Sequence, residues 1–366
     1  MAPLSRSVLA AGQNALYRLQ TPSQISPSDF FDDANEIRQM FARLINEPNS
    51  NRVALIPSVS YGMSVVAHNI SLRPSQNVVV VSEQFPSNVY TWKRLCHKTE
   101  AELRTVIPPN DATDRAAAWN ASIIDAIDEE TGLVAIPELH WTDGTRFNVE
   151  QIGAQARACG ATFVIDGTQS IGASPFDIQR VRPDALVCAG YKWLTGPYAV
   201  GVAYFGTAFD KGIPLEENWI TRRDSENFSG LIEYRDEYQP NAIRYDVGER
   251  SNFVLLPMLK AALTQVLKWS PAGIQDYCRT LTQKALLEFG ELGCEIQTAT
   301  SRCHHLFGIH MPREIDLADL SAELAEQDVS VSLRGTAVRV APYLYNRPED
   351  LDALVIAIRN VLSRSK

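Results

Sequence analysis

A lysine, Lys192, and an aspartate, Asp166, are the residues of this chain best suited by type and position to covalent chemistry on a small molecule. Each closes a short apolar run beside glycine. Phe163-Val164-Ile165 gives way to Asp166-Gly167-Thr168-Gln169, and Ala185–Cys188 leads into Gly190-Tyr191-Lys192-Trp193-Leu194-Thr195-Gly196-Pro197. An apolar run of about four to eight residues bounded by turn formers reads as a buried strand of a parallel sheet. Both polar groups are therefore expected at strand exits, the edge where open α/β sheets bind ligands. An amine there, in a dry cleft, has its ammonium form destabilised and is able to form a Schiff base. A lone lysine on a turn is ordinarily just solvated, but glycines that admit close approach to a ligand argue for the reactive one. An aspartate after a strand more often caps a helix; its pairing with Lys192 lifts Asp166 above that reading.

A carboxylate and an amine on one rim suit a cofactor that wants an anion at one end and an imine at the other, and pyridoxal phosphate is that cofactor. At about 4 Å and an effective dielectric of about 20, a carboxylate facing a pyridinium is worth about 4 kcal/mol, roughly three pK units. That keeps the ring nitrogen protonated and the ring an electron sink. A phosphate needs N–H donors at a helix start. Ser58-Val59-Ser60-Tyr61-Gly62 offers small polar residues and a glycine before a helix expected from Met63 to His68, although many such turns are merely caps. Arg339, flanked by Val338 and Val340, reads as half-buried on a strand and in need of a partner. A substrate carboxylate held bidentately would satisfy its fork.

The pair Asp166-Gly167-Thr168-Gln169 and Gly190-Tyr191-Lys192-Trp193 resembles the class V aminotransferase family of fold-type I pyridoxal phosphate enzymes. That group also contains cysteine desulfurases, kynureninases and isopenicillin-N-epimerase-like proteins. The resemblance runs from about residue 50 to the end. It implies that Gln169 donates to the cofactor's phenolate oxygen and that Ser60, Tyr61 and Gly62 belong to the phosphate cup. It further implies that Tyr191 reaches the phosphate, as in kynureninases, and that Phe85, in Phe85-Pro86-Ser87-Asn88, lies flat on the ring. His140 falls where the family often has an asparagine facing ring and substrate. Arg339 matches the arginine that holds the α-carboxylate, and Trp219 is expected to line the site. The resemblance also implies a homodimer with shared sites.

Two departures matter. Desulfurases usually carry a serine three residues before the lysine, and here that residue is Ala189. Some phosphate contacts are then expected from the second subunit's Gly248–Asn252 loop. A desulfurase also needs a mobile cysteine in the small-domain loop, and no cysteine lies between Asp316 and Arg339. The reaction expected is therefore transamination of a small amino acid, with a kynureninase-type lyase or hydrolase, or an epimerase, as the alternative. A non-catalytic scaffold is disfavoured by the presence of Asp166, Gln169 and Lys192 together.

Positioning these residues requires an α/β chain. Strand-like runs at Val53–Ile56, Val78–Val81, Leu133–Ile136, Phe163–Ile165, Ala185–Cys188 and Val200–Phe205 alternate with helical stretches, which gives a mostly parallel, doubly wound sheet. A smaller α+β domain is expected over 258–366, after a large cofactor-binding domain over 51–257. Residues 1–50 are expected to form a leader that packs on the small domain, as the resemblance implies. The 366 residues are ample for such a core. A net charge of −9 disfavours nucleic acid as a partner. No apolar run approaches the ~18 residues needed to span a bilayer. Six cysteines without C-x-x-C spacing indicate neither zinc site nor disulfide framework, and suggest a reducing cytoplasm.

Overall fold

The computed structural model describes residues 1–109, 114–334 and 337–364. Two compact units emerge: Met1–Ile107, Ala121–Glu138 and Asn148–Ser270 form the first, and Pro108–Asn120, Leu139–Phe147 and Pro271–Lys366 the second. The helices are α1 (Arg6–Arg18), α2 (Asp32–Leu44), α3 (Val59–His68), α4 (Tyr90–Thr99), α5 (Arg115–Asp125), α6 (Val149–Ala158), α7 (Ile178–Val181), α8 (Leu255–Trp269), α9 (Pro271–Glu291), α10 (Leu317–Glu326) and α11 (Pro348–Arg364). No described helix is long and apolar enough to cross a membrane.

The first unit is built on a seven-stranded sheet of β1 (Val53–Ile56), β2 (Asn77–Val81), β3 (Glu102–Val106), β4 (Thr131–Pro137), β5 (Thr162–Asp166), β6 (Ala185–Ala189) and β7 (Gly201–Phe205). Their order is β1-β7-β6-β5-β4-β2-β3. Strands β2 to β6 run parallel, and β7 is antiparallel to both β6 and β1. The central strands are buried on both faces, which is why their sequences are continuous apolar runs rather than alternating ones. Edge strand β3, Glu102-Leu103-Arg104-Thr105-Val106, is half exposed and mixed in composition, so no apolar run announces it.

The leader does not pack as expected. Helices α1 and α2 lie on α8 within the first unit, with Val8 beside Met258 and Ala262. The division also falls at Ser270/Pro271 rather than near residue 257, because α8 buries its Leu259–Leu263–Val266 face in the first unit. Periodicity reveals an apolar face but not its neighbour.

The second unit has a four-stranded sheet, β10-β11-β9-β8, of β8 (Glu295–Ile296), β9 (Phe307–His310), β10 (Ser332–Arg334) and β11 (Ala337–Val340). Helices α9, α10 and α11 cover it around Phe289, Phe307, Leu354 and Ile358. The segment Leu139–Phe147 belongs to this unit: Arg146 donates its N–H to the Ser301 carbonyl, and Gly144 (φ 72°) lies so close that a Cβ would meet Leu306 O at 2.5 Å.

Candidate active site

Strand β5 ends at Asp166, and its parallel register with β6 sets Asp166 opposite Val187. Strand β6 continues to Ala189, and Lys192 follows in the next loop, so carboxylate and amine leave the same edge of the first unit's sheet. Thr168 joins the two. Its N–H donates to Asp166 Oδ1 (3.0 Å), and its hydroxyl accepts the Ala189 N–H (3.2 Å). The Lys192 loop folds on itself through Gly190 N–H to Val200 O (3.0 Å), Gly196 N–H to Gly190 O (2.9 Å) and Thr195 N–H to Lys192 O (3.0 Å). Thr195 (φ 54°) and Ala199 (φ 64°) are left-handed in this loop, and for a β-branched threonine that is a strained backbone.

The glycines here do something other than admit a ligand. A Cβ on Gly190 would lie 2.5 Å from Val200 O, and one on Gly196 would lie 2.7 Å from Leu259 Cδ1. They admit the chain's own backbone and α8.

Asp166 is buried, and desolvation raises its pKa against the lowering effect of its Thr168 contacts and of Lys192. Lys192 Nζ sits 5.4 Å from the centroid of the Phe85 ring. The Trp193 indole donates to Gln169 Oε1 (3.3 Å). An indole N–H only donates, so Oε1 is the accepting end of the Gln169 amide and Nε2 its donating end.

Helix α3 begins at Val59, earlier than expected, with Ser58 as N-cap: its hydroxyl accepts the Tyr61 N–H (3.2 Å), and the Ser58 carbonyl accepts the Gly62 N–H. Tyr61 and Gly62 thus spend their N–H groups on the helix itself. Gly62 is required for packing, since a Cβ would lie 2.7 Å from Val187 Cγ1. The Tyr61 hydroxyl is buried without a hydrogen-bond partner among the described residues, and burial raises its pKa. The Ser60 hydroxyl lies 2.9 Å from that of Ser58. Because Gly62 abuts Val187, the residue opposite Asp166, the helix start and the carboxylate share one strand edge. The Tyr191 ring packs against that of Tyr198 in a tilted pair, with centroids 4.6 Å apart. In the Gly248–Asn252 loop, the Gly248 N–H donates to Glu216, Arg250 pairs with Asp246, the Ser251 hydroxyl donates to Phe30 O, and Asn252 Oδ1 accepts the Leu255 N–H at the start of α8. Trp219 joins Phe30, Phe31 and Phe228 in an aromatic cluster and borders a cavity of about 340 Å³ that none of the other candidate residues lines.

His140 and Arg339 belong to the second unit. His140 is buried, with Nδ1 2.7 Å from Thr142 Oγ1 and 3.6 Å from Asp143 Oδ1. Against desolvation, His140, the Thr145 N–H and Arg115 hold the Asp143 carboxyl well below the usual range. Arg339 donates to Trp141 O (2.7 Å) and to Ser332 Oγ (3.4 Å), and no carboxylate pairs with it among the described residues.

The family model described as Aminotransferase class-V matches residues 4–354. The chain belongs to this family. An uncharacterized aminotransferase of Bacillus subtilis, YcbU, is 25% identical over 95% of this chain and 88% of its own length. Among solved structures, an apo cysteine desulfurase from Thermococcus onnurineus superposes with a TM-score of 0.81 at 18% identity, covering 99% of this chain and 93% of that one. A complex of the cystine C-S lyase C-DES with cysteine persulfide superposes with a TM-score of 0.85 at 17% identity, covering 98% and 95%. At such identities these two likenesses describe the fold, which is fold type I.

Pyridoxal phosphate is the cofactor of the class V family, and the first unit's residues fit it. A buried carboxylate whose own donors do not offset its desolvation stands ready for a cationic ring N–H. Lys192, whose charge acts on Asp166, has its Nζ 5.4 Å from the centroid of the Phe85 ring, and a capped helix start shares the strand edge. Two contributors escaped the sequence reading. Ser58 is the N-cap because the helix begins at Val59, four residues before the expected start at Met63. Thr168 stood inside the quoted motif, but which strand its hydroxyl ties is a tertiary fact.

Proposed function

We propose that this chain is an aminotransferase, moving the amino group of a small amino acid to a keto acid with pyridoxal phosphate bonded by Lys192. The observation that carries the reading is the buried Asp166, raised in pKa by desolvation, on the strand edge that delivers Lys192. When bound, the cofactor supplies an electron sink for charge developing at the substrate's α-carbon. Asp166 holds its negative charge at the end of β5 to keep the ring nitrogen protonated. Lys192 Nζ would hold the cofactor and would serve as the base that moves the substrate's α-proton. Phe85, whose ring faces Nζ, packs the site and excludes water. Gln169 donates through Nε2, Ser60 contributes to phosphate binding, and Arg339 takes the α-carboxylate in its fork. A homodimer is part of this reading.

Desulfuration is disfavoured by the cysteines. All six lie among the described residues, five buried and Cys159 half-buried. Burial pushes the Cys278 thiol up to about 12 and those of Cys96 and Cys294 up to about 11, so none of these is a poised thiolate. A lyase is the second reading, favoured by the fold neighbour described as a cystine C-S lyase, since cleavage uses the same lysine and needs no nucleophilic cysteine.

The test is a panel of amino acids with and without keto-acid acceptors, using the purified protein and Lys192→Ala. Acceptor-dependent formation of a new amino acid, lost together with the visible absorption band in Lys192→Ala, is expected. Ammonia or sulfide release without acceptor turnover would overturn the aminotransferase reading in favour of the lyase.

A further inference from the structure

Asp246 is wholly buried in the first unit and faces two arginines. Arg38, from α2, donates through Nη2 to Asp246 Oδ2, and Arg250 Nη1 lies 2.8 Å from the same oxygen. The other oxygen, Oδ1, accepts the Leu55 N–H of β1 (2.8 Å). Arg38 is 1% exposed, Arg250 4% and Asp246 0%, so none of the three charges is shared with solvent. No second carboxylate pairs with either guanidinium among the described residues. Glu216, whose charge acts on Tyr61 together with that of Asp246, accepts the Gly248 N–H (2.6 Å).

Two positive charges therefore meet one negative charge in a dry interior. Desolvation lowers the Arg38 pKa to about 10, with Asp246 opposing it and Arg250 adding to it, which still leaves a cation at neutral pH. A buried charge without a counter-charge is strongly destabilising. The donors are in surplus as well. A guanidinium carries five N–H donors and no acceptor. Arg38 Nε and Nη1 and Arg250 Nε and Nη1 are buried with no hydrogen-bond partner among the described residues, and so is the Tyr61 hydroxyl. Phe31, its ring centroid 5.4 Å from the Arg250 guanidinium carbon, offers a π-face and no lone pair. Buried donors in folded proteins nearly always find an acceptor. A water molecule accepts hydrogen bonds but cancels no charge.

We propose that Arg38 and Arg250 together bind a small monovalent inorganic anion of the chloride type, as a structural ion of the first unit. One such ion cancels the surplus charge, whereas a dianion overshoots it. The enclosure of both guanidiniums excludes an organic acid with a chain. Through Arg38 the ion holds α2. Through Asp246 and the Leu55 N–H it supports β1, the strand that leads to the Ser58 cap of α3.

The test is the melting temperature of the purified protein, with its cofactor, at fixed ionic strength as chloride replaces gluconate. A specific site predicts a rise of about 2–4 °C for each tenfold increase in chloride above its dissociation constant. Bromide should act like chloride, and inorganic phosphate should not. Arg250→Met removes the surplus cation, so it should melt alike in gluconate and chloride, and Arg38→Met should do the same. Broadening of the chloride NMR resonance by the wild-type protein, relieved by added bromide, reads binding directly and needs no variant. Equal salt responses in the wild type and in both variants overturn the proposal. So does a wild type that neither melts higher in chloride nor broadens its resonance, or one that responds to phosphate alone.

Discussion

The Thr168 hydroxyl accepts the Ala189 N–H at 3.2 Å, tying the turn after Asp166 to the end of the strand that leads to Lys192. The carboxylate and the amine that the proposed function assigns to the two ends of one small ring are thereby tied to each other through Thr168. Thr168→Val keeps the shape and removes the acceptor, stranding a buried N–H at a cost of about 1–3 kcal/mol. The variant should unfold at a lower temperature and lose cofactor faster on dialysis, and Thr168→Ser should restore both. Wild-type cofactor retention in the valine variant would show that the tie is unimportant.

Asp166 gives the pH dependence. Its folded pKa is raised by burial, so between the unfolded value of about 4 and the folded value the native state binds the extra proton. The stability of the cofactor-free chain should therefore fall as pH rises through that window, and stay reduced at neutral pH. Asp166→Asn removes the penalty. Cofactor-free Asp166→Asn should melt above the cofactor-free wild type at pH 7, with the gap closing toward pH 4, while the loaded variant loses most of its activity. A constant gap at all pH values would mean that the carboxylate is not desolvated.

The central strands and the edge that carries Asp166 and Lys192 are legible because parallel strands are continuous apolar runs that stop abruptly. What stayed hidden was decided by packing. Val8, Gly12 and Ala15 give α1 an apolar stripe, but nothing local says that the stripe meets Met258 and not the second unit. Gly62, Gly190 and Gly196 read as ligand-facing glycines, whereas each makes room for the protein's own atoms at Val187, Val200 and Leu259. Sequence marks where a side chain is forbidden without saying what forbids it.

The first unit also encloses Asp246 between two buried arginines, Arg38 and Arg250, with Asp246 Oδ1 accepting the Leu55 N–H (2.8 Å). Desolvation lowers the Arg38 pKa to about 10 even beside this carboxylate. Asp246→Ala leaves two buried cations facing each other and should lose about 3–5 kcal/mol by urea denaturation. Arg250→Met removes the surplus cation and keeps Arg38 paired, so it should lose clearly less. The reverse order would mean that Arg250 acts chiefly through its contact with the Phe31 ring (5.4 Å).

The cysteines offer a direct check on which chemistry is open to this family member. Cys188, on the strand before Lys192, is fully buried, and desolvation together with the charges of Asp166 and Glu138 drives its thiol far above the ordinary value. Only Cys159, near the end of α6, is partly exposed. A disulfide reagent applied to the native protein at pH 8 should label at most that one thiol rapidly and reach the others only on unfolding, because attack requires an accessible thiolate. Cys159→Ser should abolish the fast phase and leave amino-acid turnover intact. A second fast thiol, whose blocking stops turnover, would restore desulfuration as a reading of this site and remove the main ground for preferring amino transfer.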